Sequence, residues 1–505
     1  MKRNLLKTFV AIMLAPGLVY AGGLVTNTNQ SASFVRNPAQ NAVIGAEGTY
    51  FNPAGLVWLE DGFHFSISNQ TITQTREISS NFPNLNRSNF EGAVSAPLFP
   101  SVYGVFKQGR IAYSLGINPI GGGGSANFEQ GLPSFEQQVA ILPGALTDAR
   151  IPTSRYSLNS SFDGRSLNWG VQVNASYALN DMISLSLGLR FITATNTYQG
   201  HLSDIMINPN RPQLMEQYNG INMVSAPEFF STIAAALSGP ASGAASLSTM
   251  LTPAVSTQGT LPIENVVQDP ALLTQLRSII TAAGQNPDGM NVATAVAVLN
   301  GFVANAATMT LLATQTRDRQ VDAKQTGWGI APVLSAHFRF SDDLNLSLKY
   351  EHRASITMTN ETTIDDVGLY PDGQETPNDM PAMLALGVSY RLIDRITLSA
   401  GGHYYFDKNA NYGRKIAGEF VPNDQVIDNN FWEAAFGIDF VVNEALTVST
   451  GYLRTQTGVN QFYQSDLSHS LNTNSIAVGG RYRLNNNTAL NFGIMNIFYE
   501  ETQRD

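Results

Sequence analysis

Apolar and polar residues alternate at a strict period of two in segment after segment of this chain. Ile183, Leu185, Leu187, Leu189 and Phe191 form one apolar series, interleaved with Ser184, Ser186, Gly188 and Arg190. The pattern recurs with Leu344, Leu346, Leu348 and Tyr350 against Asn345, Ser347, Lys349 and Glu351, and with Ile396, Leu398, Ala400, Gly402 and Tyr404 against Thr397, Ser399, Gly401 and His403. In a strand successive side chains point to opposite faces, so each segment is a two-faced β-strand. This reading predicts strands over 63–77, 101–107, 110–119, 166–179, 182–199, 325–340, 343–358, 380–392, 395–407, 430–442, 445–456, 473–484 and 488–499.

A soluble sandwich has the same period, and the rhythm of the connections decides between the two. Tight turns at Gln108-Gly109, Asn180-Asp181, Ser341-Asp342-Asp343, Ile393-Asp394, Asn443-Glu444 and Asn485-Asn486-Asn487 alternate with long loops. Short turns on one side and long loops on the other mark an outer-membrane barrel. The expected fold is all-β: a transmembrane antiparallel β-barrel of about 14 strands. Thirteen strands are read here, and a single-chain bacterial barrel normally has an even number. Either a strand lies unread within 140–165, or the given chain lacks its last one. The absence of an apolar terminal strand ending in an aromatic favours the latter.

The longest insertion, 200–324, reads as helical and extracellular. Ser225-Ala226-Pro227-Glu228 forms a capping box, and Asp269-Pro270 starts a helix through Leu272, Leu273, Leu276, Ile279 and Ile280 that stops at Gly284. An Ala-rich stretch over 291–313 is a third helix. Their apolar faces must pack on one another or on a ligand.

At the N-terminus, Lys2, Arg3 and Lys7 precede an apolar run from Thr8 to Ala15, a Pro16-Gly17 break and Val19-Tyr20-Ala21. This is a signal-peptide layout over 1–21, too short to span a bilayer. Beyond it no window reads as a transmembrane helix. Cysteine is absent, which removes disulfides and thiol chemistry. A net charge of −10, thinly spread, argues against a nucleic-acid partner.

Between 22 and 59 alternation is missing. Gly22-Gly23-Leu24, Asn29-Gln30-Ser31-Ala32-Ser33, Arg36-Asn37-Pro38-Ala39 and Tyr50-Phe51-Asn52-Pro53-Ala54-Gly55-Leu56 follow one another directly before the first strand. In position and combination they closely resemble the N-terminal hatch of the outer-membrane long-chain fatty acid transporter (FadL) family. The resemblance extends in outline over the barrel, with the large helical loop between strands five and six.

That resemblance implies a hatch over 22–59 inside a barrel over 60–505, and passive uptake of hydrophobic compounds such as long-chain fatty acids. It implies capture at extracellular loops, binding beside the hatch, and sideways exit where strand three is kinked. Asn52, Pro53, Ala54 and Gly55 carry over as the hatch motif, shaping the plug rather than touching cargo. Asn118, Pro119 and Gly121 are the kink candidates, since Pro cannot donate to a ladder and Gly has no side chain to hold one. Pro119 could equally end the strand. Phe34, Val35, Phe229, Phe230 and Ile233 are candidate ligand contacts on hydrophobicity alone. The expected partners are hydrophobic small molecules, outer-membrane lipid and lipopolysaccharide, around a monomer in the outer membrane of a Gram-negative bacterium. No cofactor or metal is expected.

Two rival classes fit the sequence less well. An outer-membrane hydrolase lacks support: there is no G-x-S-x-G element, and His64, His201, His337, His352, His403 and His469 show no metal spacing. A general porin or adhesin is the alternative, and a porin would need a water-filled lumen richer in charge than this one.

Overall fold

The computed structural model covers, as described residues, Thr26, 31–413, 415–416 and 419–503. The leader 1–21, together with Gly22, Gly23, Leu24, Asn29 and Gln30 of the hatch-like stretch, lies outside them.

Thirteen long antiparallel strands follow one another around the wall in chain order. They are β1 (Gly62–Ser79), β2 (Asn89–Gln108), β3 (Ile111–Phe128), β4 (Tyr156–Ala178), β5 (Ile183–Ile207) and β6 (Arg319–Arg339). Then come β7 (Leu344–Glu351), β8 (Met383–Ile393), β9 (Ile396–Tyr405), β10 (Trp432–Val441), β11 (Leu446–Gln456), β12 (Thr473–Asn485) and β13 (Thr488–Tyr499). Tight turns join β2 to β3, β4 to β5, β6 to β7, β8 to β9, β10 to β11 and β12 to β13. At the opposite end run the loops 80–88, 129–155, 208–318, 352–382, 406–431 and 457–472. Among the described residues no register joins β1 to β13.

The period of two has its expected consequence. Phe63, Phe65, Ile67, Leu185, Leu187, Leu189, Leu386, Phe436, Phe492 and Ile494 stand exposed on the outside. Ser184, Ser186, Arg190, Ser335, His337, Ser347 and Lys349 are buried on the inside. An apolar exterior around a polar interior is the inverse of a soluble core and suits a wall solvated by lipid. The fold is therefore an all-β transmembrane barrel.

Several boundaries differ from the sequence reading. β2 begins at Asn89 rather than 101, because Pro97 and Pro100, which read as loop, lie within the strand. β3 runs past Pro119 to Phe128, and β4 begins at Tyr156 rather than 166. The 140–165 segment hides no further strand: it holds the end of helix α3 (Pro133–Ala140), α4 (Leu142–Asp148) and the start of β4. The strand read over 343–358 breaks after Glu351, and a separate strand, Thr357–Asp365, pairs with the upper part of β6.

The insertion after β5 is helical as read: α5 (Ala226–Leu251), α6 (Pro270–Ala282) and α7 (Val292–Gln315). Ser225 Oγ accepts from the Glu228 N–H, Asp269 from those of Ala271 and Leu272, and Asn291 from that of Thr294. One expectation fails. α7 is long and apolar enough by composition to cross a membrane, with mean hydropathy 1.6 over its best window. Its hydropathy comes from Ala, Val and Leu, whose larger members pack on α5 and α6 around Leu247, Leu276, Ile280, Leu299 and Phe302. It is a helix of the cap, joined at its base to a second core around Tyr218, Phe229, Phe230 and Leu312.

Phe230 is fully buried in that base. Phe230→Ala is expected to cost the cap about 3–5 kcal/mol, the usual range for a buried Phe. Limited proteolysis should then cut within 208–318 while the barrel keeps its resistance to heat unfolding in detergent.

Candidate functional site

The interior is layered along the barrel. Near the short-turn end the inward residues are Ser, Asn, Gln, His, Lys and Arg, and onto them docks the N-terminal segment. That segment comprises α1 (Ala32–Arg36), α2 (Gly48–Phe51) and a 3₁₀ turn at Pro53–Trp58. Toward the loops the same strands turn apolar with Ile120, Ile192, Ala194 and Ala331, and these join Phe34, Tyr50 and Phe51 of the segment in one buried cluster. Ile356, Met358, Met380, Tyr412, Val426 and Leu453 also belong to it.

Polar contacts hold the segment to strands on opposite sides of the wall. Asn52 is fully buried; its Oδ1 accepts from the Gly55 N–H at 3.2 Å and its Nδ2 donates to the Val43 carbonyl at 3.0 Å. Those two bonds fix the amide, so Nδ2 also donates to His337 Nδ1 at 3.0 Å. His337 must therefore carry its proton on Nε2, facing Asn345 Oδ1. The Pro53 carbonyl accepts from Ser176 Oγ at 2.8 Å and the Ala54 carbonyl from Ser184 Oγ at 2.6 Å. The Thr49 carbonyl accepts from Gln172 and Asn174. Across the lumen Arg36 pairs with Asp439 at 2.8 Å and Asn41 reaches His403 at 2.9 Å.

The wall opposite Arg36–Ala42 is bare. Gly387 pairs with Gly401, Gly437 with Gly451, and Gly479 with Gly493. A Cβ on Gly387 would stand 2.5 Å from Asn41 Cβ and 2.6 Å from the Ala42 nitrogen. The other five would press a Cβ onto Asn41, Asn37, Pro38 or Arg36. Three glycine pairs across six strands thus make the trough in which the segment lies.

Tyr50 sits between two cations. The Arg190 guanidinium lies 4.7 Å and the Lys349 ammonium 4.5 Å from its ring centre, and Lys349 Nζ donates to the Tyr50 carbonyl at 2.8 Å. One acid, Glu351, answers both: it bonds Arg190 and lies 3.9 Å from Lys349. All three side chains are buried. The locus therefore sets two basic side chains against one acid, beside the N-terminal segment's own aromatic ring.

Between β2 and β3 the wall is interrupted. β2 pairs with β3 from Gln108↔Ile111 to Val102↔Ile117, and pairing resumes only at Ser95↔Ser125. Pro97 and Pro100 on one side and Pro119 on the other carry no N–H to leave unpaired. From β1, Thr71 Oγ1 donates to the Pro97 carbonyl at 3.1 Å, and Asn69 Oδ1 accepts from the Phe99 N–H at 3.0 Å. On the far edge Gly122 adopts φ +91°, where a Cβ would collide with the Ser166 carbonyl. Leu98 is 75% exposed at the outer rim, whereas Tyr103 and Ile120, from the flanking strands, belong to the lumen cluster.

Asn118, Pro119 and Gly121 thus lie at the interruption, and Asn52 to Gly55 lie where the N-terminal segment meets β4, β5 and β6. Phe34 is in the lumen cluster and Val35 beside it is half-buried. Phe229, Phe230 and Ile233 are elsewhere, in the core at the cap's base. Sequence reading missed Arg190, Lys349 and Glu351 as a group, although alternation had placed Lys349 and Glu351 on one face. It also missed Pro97 and Pro100, and the glycine pairs, whose signal is Gly recurring at inward positions of consecutive strands.

A Pseudomonas aeruginosa FadL homologue superposes on this chain with a TM-score of 0.52, at 12% identity, over 95% of this chain and 92% of that one. This chain has the FadL fold. Also similar to this chain are the toluene transporters TodX of Pseudomonas putida (TM-score 0.48, 13% identity, 94% and 93% covered) and TbuX of Ralstonia pickettii (0.43, 13%, 90% and 92%). No protein-family model and no curated protein matches the sequence. Within the FadL fold the trough makes a specific demand. Gly387→Val would overpack the contact with Asn41 and Ala42 at a cost of about 1–3 kcal/mol. That should raise the displaced fraction of the N-terminal segment by about 5- to 150-fold. A small sugar should then leak through liposomes bearing the variant, and unchanged tightness would contradict the fit.

Proposed function

We propose that the chain is a passive outer-membrane channel for hydrophobic compounds in a Gram-negative bacterium, with the segment 22–59 as its hatch. Cargo binds in the apolar cluster beside Phe34, Tyr50 and Phe51 and leaves sideways through the β2–β3 interruption. The observation that carries this reading is the continuity of that cluster with the interruption through Tyr103 and Ile120. An apolar solute following that route stays out of water until it reaches lipid. A porin reading fits less well, because the hatch segment bonds strands on opposite sides of the lumen.

The basic pair Arg190 and Lys349 supports a carboxylate-bearing cargo such as a long-chain fatty acid over an uncharged hydrocarbon. A carboxylate there would compete with the Tyr50 carbonyl for Lys349 and with its ring for both cations. Binding of that kind favours a displaced hatch only by the difference in affinity between the two states. The channel works as a monomer among outer-membrane lipid and lipopolysaccharide, and no cofactor takes part.

The test restores the ladder. Pro97→Val, Pro100→Val and Pro119→Val together give both edges their N–H groups. Uptake of a labelled long-chain fatty acid by cells lacking their own transporter should fall about tenfold, equivalent to about 1.4 kcal/mol on the barrier. Undiminished uptake at equal surface abundance would refute lateral exit. In wild type, Lys349→Gln should weaken fatty-acid binding more than binding of the corresponding hydrocarbon.

A further inference from the structure

Polar groups buried in a protein are ordinarily hydrogen-bonded, and one that is not calls for an explanation. The lumen holds two such groups on successive inward positions of one strand. Ser101 and Tyr103 of β2 are both buried, and neither Ser101 Oγ nor Tyr103 Oη has a hydrogen-bond partner among the described residues. Their counterparts across the ladder on β1 are Ser68 and Ser66. Those two hydroxyls are committed to the N-terminal segment: Ser68 Oγ accepts from the Ala32 N–H at 2.8 Å, and Ser66 Oγ donates to Glu47 at 3.0 Å. The segment therefore engages β1 and leaves the hydroxyls of β2 alone.

Their place in the wall is particular. Ser101 lies in the stretch of β2 that has no partner on β3, and Tyr103 pairs with Gly116 just below it. A Cβ on Gly116 would stand 3.0 Å from Tyr103 Cδ1, so the ring rests against a position without a side chain. Tyr103 belongs to the lumen cluster with Tyr50, Phe51, Ile120 and Ile192. The two hydroxyls neighbour one another without hydrogen-bonding geometry between them. They thus stand together where the apolar cluster meets the interruption.

Phe and Ala would fill the same space with nothing polar to bury, and an apolar replacement of equal shape is nearly neutral or stabilising. Two donors kept at this spot serve a group that the wall itself does not supply. The charged groups that act on Tyr103 are Glu47 and Arg190, of opposite sign. Their effects oppose each other, so the spot suits a neutral oxygen as well as a charged one.

We infer that Ser101 and Tyr103 form a polar subsite at the inner mouth of the β2–β3 interruption, where their hydroxyls donate to the oxygen of an oxygenated long-chain amphiphile, alcohol and carboxylate alike. Lys349 separates acid from neutral cargo by charge. This pair separates oxygenated cargo from hydrocarbon, which offers the hydroxyls no acceptor. The inference rests on the channel reading above and adds the chemical class that the exit recognises.

The experiment compares binding of labelled hexadecanoic acid, hexadecanol and hexadecane to the full chain and its variants in the same detergent micelles, so that partition into the micelle cancels. Tyr103→Phe should weaken binding of the acid and of the alcohol about fivefold each, the size of one ordinary hydrogen bond, and leave hexadecane unchanged. Ser101→Ala should act in the same direction on the same two compounds. Heat-modifiable migration on gels certifies that each variant has folded.

Equal weakening for all three compounds would show that the hydroxyls hold the shape of the wall, and would overturn the subsite. Unchanged binding of all three would show that they do not touch cargo, with the same result. Weakening for the acid alone would assign the effect to charge and overturn the class proposed here. The channel reading fails separately, through undiminished uptake in the triple-proline variant, whose Ser101 and Tyr103 are intact.

Discussion

Every backbone N–H and C=O that faces hydrocarbon must find a partner within the protein, because lipid offers none. The rest of this structure follows from that constraint, including the lapse in the ladder between β2 and β3. Between Ser95 and Val102 on β2, and between Ile117 and Ser125 on β3, adjacent strands do not bond each other. Three prolines lower the number of donors, and Thr71 and Asn69 on β1 serve a carbonyl and an N–H of the β2 segment. The interruption is therefore a built feature. A random defect would leave several donors bare, each costing about 1–3 kcal/mol even by mutational measures.

The same constraint shapes the interior. A barrel of this width cannot fill its lumen with side chains from the wall alone, so a folded segment occupies it. That segment is mostly irregular backbone, and its carbonyls take donors from Ser176, Ser184, Gln172, Asn174 and Lys349. On the far side six glycines let its main chain lie against the strands. Hydrogen bonds hold it on both sides, and on the glycine side close approach of the main chain adds to the Arg36–Asp439 and Asn41–His403 contacts. Hydrogen bonds exchanged for water cost little on release, about 0.5–1.5 kcal/mol each, so such a segment can be firmly placed and still displaceable.

Much of the wall was legible because its two environments are so unlike. Leu185, Leu187 and Leu189 against Ser184, Ser186 and Arg190 can be reconciled only by lipid outside and polar packing inside. The capping residues Ser225 and Asp269 were legible for a local reason, since a cap is satisfied within three residues. What escaped was whatever depends on partners distant in sequence. Pro97 and Pro100 read as loop because a proline is ordinarily excluded from a paired strand, and only the lapse opposite them makes a strand possible. The setting of two basic side chains against one acid required Arg190, Lys349 and Glu351 to be brought together from β5 and β7. Phe229 and Phe230 illustrate the converse: hydrophobicity marks a residue for burial, and only the fold says against what.

The position of Tyr50 ties the proposed cargo binding to the proposed hatch. It belongs to the apolar cluster through its ring, to the N-terminal segment through its backbone, and to Arg190 and Lys349 through both. A ligand that only filled the apolar cluster would bind the closed state as well as the open one and would shift nothing. A ligand that also takes Lys349 removes a bond the closed state needs, and so binds the open state better. Moving such an equilibrium from 1:99 to 99:1 demands about 5.5 kcal/mol of differential affinity. One charge-assisted hydrogen bond of about 1.5–3 kcal/mol falls short of that. Opening must then draw on the cation–π contacts and the Asn52 bonds as well, or proceed as a modest shift. If transport is passive, as proposed, a modest shift is sufficient: a small open fraction, renewed with each cargo molecule, carries flux while the lumen stays closed to water-soluble solutes.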